Sequence, residues 1–181
     1  VMRCFTLANY LVQRGYKTVF FLRHTLPNVD ALLTESGHVL FNMDYLSHPS
    51  KKYPHSHWLN GTEVQDANAL LQHLNNSDLF ETAPEYIIVD HYALGANWEE
   101  IIQSISPVFA IDDLNDRPHA SKFLLDQTFG KSKIDYNNLI SAQTTLLLGA
   151  QYALLRSEFF EFRNKAVTKR KSTVSMKKIL I

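Results

Sequence analysis

The stretch VFAIDDLNDRPH, residues 108–119, decides the fold reading, because an apolar run ends abruptly in two carboxylates and then in a second acidic, basic and imidazole cluster. Val108 to Ile111 has the β-branched, apolar character of a strand buried on both faces, which is how strands of parallel sheets read. Asp112 and Asp113 then fall at its carboxyl end, the edge at which open α/β sheets bind ligands. Upstream, the run Tyr86-Ile87-Ile88-Val89 leads in the same way into Asp90-His91-Tyr92. Two strands are therefore expected to deliver polar residues to one edge of one sheet.

The same alternation extends in both directions. Residues 2–11 read as the inside of a helix, with Phe5, Leu7, Ala8 and Leu11 near helical spacing and Gly15 as the stop. A strand is expected at 18–22, ending in Arg23-His24, then a helix at 29–36 stopped by Gly37, and a short strand at 38–41. Residues 44–60, rich in Ser, Pro, Lys, His and Tyr, form a long loop of the kind that often carries function. Beyond it the pattern predicts a helix over 62–76, capped by Thr62, with Val64, Ala67, Leu70, Leu71 and Leu74 on one face. Strands at 86–89, 108–111, 123–126 and 145–149 and helices at 96–105 and 158–165 complete the reading. Strands alternating with helices imply an α/β fold with a Rossmann-like, mostly parallel sheet.

A chain of 181 residues suffices for one well-buried domain. Eighteen Lys and Arg balance eighteen Asp and Glu, so there is no basic excess for nucleic acid. A single cysteine, Cys4, rules out an internal disulfide framework and a cysteine-based zinc site, and points to a reducing cytoplasm. No helical pair of histidines at i, i+4 with a carboxylate supports a metal site, and we expect no metal and no cofactor. No apolar stretch reaches the roughly 20 residues that span a bilayer, so no membrane partner is expected. Because the chain opens inside a helix, residues ahead of Val1 are expected. The expected organisation is a Rossmann-like domain over 1–165, a basic linker over 166–178, and at 179–181 the first residues of a strand opening another domain.

Four blocks, WLNGTEVQDA (58–67), VDHYALGANWE (89–99), IDDLNDRPH (111–119) with LLDQT (124–128), and LLGAQYALLRSEF (147–159), resemble the UDP-2,4-diacetamido-2,4,6-trideoxy-β-L-altropyranose hydrolases of pseudaminic acid biosynthesis. The resemblance implies the N-terminal half of a GT-B fold, shared with the MurG-type glycosyltransferases, with the active site between two Rossmann-like halves. It further implies a UDP-sugar substrate, metal-free displacement of UDP by water with inversion, and a C-terminal domain that completes the cleft and holds the nucleotide. The family's general base, the histidine of a Gly-x-Gly-His turn, would fall just before Val1, so this chain alone is expected to be inactive.

Tyr92 is the expected catalytic-site residue, since DHY matches a family motif that puts a tyrosine hydroxyl in the substrate cleft. Arg3, His91 and Asp113 are the expected substrate-binding residues; for Arg3 the competing reading is a solvent-facing helical arginine, for His91 and Asp113 a role in supporting their loops. Asp112 reads as structural, and Asp116, Arg117 and His119 as a loop-stabilising network. Tyr152 and Arg156 are expected to fix a domain crossover. Two other readings stand beside the hydrolase: a GT-B glycosyltransferase using a UDP-sugar donor, and a non-catalytic domain that binds sugar or a partner. A two-carboxylate glycosidase is disfavoured, because adjacent Asp112 and Asp113 project apart rather than flanking one bond.

Overall fold

The computed structural model describes residues 1–24, 26–47, 50–76 and 82–172. In chain order the elements are α1 (Met2–Val12), β1 (Val19–Leu22), α2 (Pro27–Glu35), β2 (Val39–Asn42), α3 (Glu63–Asn76), β3 (Ile87–Val89), α4 (Ala96–Ile102), β4 (Val108–Ile111), β5 (Phe123–Asp126), β6 (Thr145–Leu148) and α5 (Ser157–Ser172). The protein is α/β and every strand pair is parallel, as a Rossmann-like fold requires. The expected residues 179–181 strand lies outside the described residues.

Parallel neighbours need a crossover, and here helices supply it between β1 and β2 and between β3 and β4. The apolar helix faces explain the packing. Ala67, Leu70 and Leu74 of α3 and Trp98 and Ile102 of α4 pack with Val89, Val108 and Ala110 in one core. Phe5 and Ala8 of α1, Phe20 of β1 and Leu33 of α2 form a second. Successive residues of a strand face opposite ways, so while Phe20 enters the second core, Phe21 packs against the first. Thr62 caps α3 as expected: Gln65 N–H donates to its Oγ1 at 3.1 Å, and Thr62 N–H donates to Gln65 Oε1 at 2.9 Å, a reciprocal capping box.

Four differences from the sequence reading have physical causes. The strands form two sheets, β1-β2 and β3-β4-β5-β6, rather than one; alternation of apolar residues reports which face a strand buries, not which strand it pairs with. Val64 is 46% exposed, off the buried face of α3. Helix α4 stops at Ile102 instead of 105, since Pro107 disfavours helical geometry in the residue before it and Ser106 Oγ turns to donate to Pro84 O at 2.6 Å. Helix α5 runs to Ser172, seven residues into the segment expected to be a linker, because its Lys, Arg and Ala residues are good helix formers and no Gly or Pro interrupts them.

Candidate functional site

Asp112 and Asp113 leave the end of β4 in opposite directions. Asp112 is fully buried and pairs with Arg117 Nη1 at 2.7 Å, while Asn115 N–H donates to its Oδ2 at 3.1 Å. Burial opposes its charge, but the neighbouring His119 imidazole, 3.7 Å away, and the Arg117 guanidinium outweigh that and hold the carboxyl well below the usual range. Asp113 turns outward. Its Oδ1 accepts from Tyr92 Oη at 2.7 Å and its Oδ2 from Arg3 Nη1 at 2.9 Å.

Arg3 lies in the first turn of α1, and its planar fork reaches two strand ends. Nε and Nη2 donate to the two oxygens of Asp90, at 3.2 and 2.5 Å, and Nη2 approaches the Tyr92 hydroxyl at 3.5 Å. Burial works against the Arg3 charge, but Asp90 and Asp113 more than offset it, so the guanidinium stays protonated. Asp90 follows β3 as Asp112 follows β4, so the neighbouring parallel strands bring both polar edges to one place. Next to them, Cys4 has its thiol pushed up to about 12 by burial and by the charge of Asp90, which makes it a poor nucleophile.

These groups line a cavity of about 430 Å³ with Val1, Met2, Trp58, His91, Tyr92 and Gln127. Every expected site residue, Arg3, His91, Tyr92 and Asp113, lies on it. The Tyr92 phenol is pushed up by burial and by its bond to Asp113, so it remains a hydroxyl that donates rather than a base. His91 is pushed down by burial and is neutral at neutral pH. Ala93 N–H donates to its Nδ1 at 3.1 Å, which places the proton of the neutral ring on Nε2 and leaves that nitrogen a donor. A ring of aromatic groups completes the wall: Trp58 lies 5.7 Å from Tyr92 and 4.8 Å from His55, centroid to centroid.

A buried network holds the two loops that carry the site. Arg117, 2% exposed, donates from Nε to Leu94 O at 2.8 Å and from Nη2 to His91 O at 3.3 Å, while Nη1 meets Asp116 at 3.0 Å. Glu99, fully buried on α4, meets His119 Nδ1 at 2.6 Å and accepts the Ala120 and Ser121 N–H groups. Burial lowers the His119 pKa, but the Asp112 carboxylate 3.7 Å from Nε2 and the hydrogen bond with Glu99 overcome this and raise it. Gly95 is dictated by closeness: a Cβ there would stand 2.8 Å from Pro118 O. The expected loop-stabilising role of Asp116, Arg117 and His119 is what these contacts perform.

Asp90, Trp58, Gln127 and Glu99 were not singled out in the sequence. Asp90 carried the same signal as Asp112, an acid directly after an apolar strand, and Trp58 stood in the long loop already marked for function. Tyr152 and Arg156 lie away from the cavity; Tyr152 is 42% exposed and Arg156 pairs weakly with Glu158 at 3.9 Å. Among the described residues no three or more His, Cys, Asp or Glu side chains are gathered as metal ligands would be, and no helix is long and apolar enough to cross a membrane.

Fold and site together define a Rossmann-like α/β protein with a polar, aromatic-walled pocket at the carboxyl ends of its parallel strands. Set against known proteins, the sequence matches no family model and no curated protein.

Proposed function

We propose that this protein is the substrate-facing, Rossmann-like N-terminal half of a GT-B enzyme, a cytoplasmic inverting UDP-sugar hydrolase that acts on UDP-2,4-diacetamido-2,4,6-trideoxy-β-L-altropyranose in pseudaminic acid biosynthesis. One observation carries the reading. Three of the four sequence blocks on which the resemblance rests are scattered over residues 58–128, yet Trp58, Asp90, His91, Tyr92, Asp113 and Gln127, drawn from those three, line a single cavity.

In this reading water attacks the anomeric carbon, the bond from that carbon to the phosphate oxygen breaks, and UDP leaves with the bonding pair. Asp113 and Asp90, fixed by Arg3, accept hydrogen bonds from sugar hydroxyl or amide groups. Tyr92 and His91 donate, to the sugar or to the attacking water. Neither is the base, one being held as a phenol and the other presenting a protonated Nε2. The resemblance puts the base in a Gly-x-Gly-His turn ahead of Val1 and the UDP on a following domain, so residues 1–181 alone are expected to release no UDP.

The test is UDP release, followed by proton NMR of the anomeric signal, using protein expressed from its complete reading frame and no acceptor sugar. UDP and an inverted free sugar are expected, with Tyr92→Phe and Asp113→Asn slowed at least tenfold. Release only when an acceptor is added would make the protein a glycosyltransferase, and no turnover under either condition would leave a binding domain.

A further inference from the structure

The two tryptophans of this chain are used differently. Trp98 is 3% exposed and donates from Nε1 to Asp66 at 2.8 Å, as a core indole does. Trp58 is 48% exposed and faces the cavity. Its position is nevertheless fixed. It ends the 3-10 turn Ser56–Trp58, its own N–H donates to His55 O at 3.0 Å, Ser56 is buried with Oγ accepting Tyr53 N–H at 2.8 Å, and the next residue, Leu59, is in the core. A large indole held rigidly half in solvent, beside the ring of Tyr92, is a preformed apolar surface whose burial awaits a ligand.

The chemistry opposite that surface narrows the ligand. Asp90 and Asp113 face the cavity, held by Arg3 and, for Asp90, by the Val1 nitrogen at 3.7 Å. Their carboxylate oxygens accept from O–H and N–H donors. A ligand that is apolar on one side and rich in donors on the other is a pyranose ring, and an acetamido substituent adds both a donor N–H and a methyl group. The cavity, about 430 Å³, lies in the range of small-molecule sites.

We infer that Trp58, with Tyr92, is the stacking platform for the acetamido-bearing pyranose of the sugar nucleotide, whose polar groups face Asp113 and Asp90. The identity of the sugar nucleotide rests on the hydrolase reading; the platform itself rests on the geometry.

Protein from the complete reading frame is titrated with the UDP-diacetamido-trideoxy-altropyranose, with the free sugar, and with UDP, while tryptophan emission is followed. The nucleotide sugar and the free sugar are expected to change the emission and UDP is not; in Trp58→Phe the change is expected to be lost. Trp58→Ala is expected to raise KM about tenfold with kcat within twofold, and Trp58→Phe, which keeps a ring, to stay within threefold of wild type in KM. Unchanged Trp98 emission and far-ultraviolet circular dichroism establish that the variants fold. An unaltered KM in Trp58→Ala, with UDP still released, sinks the platform and leaves the hydrolase reading standing. The same emission change with UDP alone also sinks it, since the ring would then hold uracil. Absence of any UDP release, with the free sugar still changing Trp58 emission, supports the platform and sinks the hydrolase.

Discussion

Arg3 meets Asp90 through Nε and Nη2 and Asp113 through Nη1, so one planar fork holds carboxylates from two strand ends. A lysine ammonium is a point charge and cannot keep that geometry. With 19% of the arginine, 11% of Asp90 and 29% of Asp113 exposed, solvent screens the group only in part. Arg3→Lys is expected to cost about 1–2 kcal/mol and Arg3→Ala about 2–3 kcal/mol in urea unfolding. Equal stability of all three proteins would mean that the carboxylates are held by other means. Tyr92, His91 and Asp113 were legible because each lies in a motif that could be set beside a family; Arg3, outside those blocks, could not be told from a solvent-facing helical arginine until its partners, 87 and 110 positions away, were in place. Asp90 and Trp58 were visible as residue types but not as neighbours of one cavity, since their spacing in sequence holds no trace of the 3-10 turn that aims the indole.

Between β4 and β5 the chain crosses without a helix, and the segment keeps its shape through Glu99 of α4, which meets His119 and the Ala120 and Ser121 N–H groups. Strand bounds at 108–111 and 123–126 were read correctly from apolar runs. The helix–loop coupling through Glu99 was not, because a buried glutamate inside a helix looks in sequence like any solvent-facing one. Protonated His119 stands between Glu99 at 2.6 Å and Asp112 at 3.7 Å and balances their charge, while Arg117 pairs with Asp112 and Asp116. A raised folded pKa means that the histidine's contribution is fully present below its unfolded value of about 6.5 and is lost as pH rises through the higher folded value. Asp112, depressed, behaves oppositely: its contribution is present above about 3.9 and is lost as pH falls through its folded value. His38 and His91, both lowered by burial, add a loss on the acid side as pH falls below about 6.5. The distinguishing measurement is therefore a difference. The unfolding free energy of wild type minus that of His119→Gln is expected to shrink as pH is raised above 6.5, whereas a difference that instead grows as pH is raised from 5 to 6.5 would mean that His119 is neutral in the fold.

The pocket draws Arg3 from α1, which packs on β1, and Asp90, Tyr92 and Asp113 from the ends of β3 and β4, so it spans two sheets that share no backbone ladder among the described residues. Side chains must do the joining. Phe21 of β1 enters the core of the four-stranded sheet, and Asp66 of α3 accepts from Arg23 Nε, just beyond β1, at 2.7 Å and from Trp98 Nε1 on α4 at 2.8 Å. Removing that carboxylate strands a guanidinium that is 9% exposed and an indole N–H in the core. Asp66→Ala is expected to cost about 3 kcal/mol, and the loss should not be uniform. Because the ion pair lost, with Arg23, joins the two units, while only the hydrogen bond lost with Trp98 lies within one of them, amide exchange at residues 19–42 should accelerate more than at 108–126, and unfolding should broaden or split. Asp66→Asn, which keeps an acceptor for Trp98 without the charge for Arg23, should fall between. Binding of the free diacetamido sugar, whose site needs both units in place, should weaken in the same order, since the ligand would have to hold together what Asp66 no longer does. Equal acceleration across all strands, with binding unchanged, would mean that the packing of Phe21 alone keeps the two sheets cooperative.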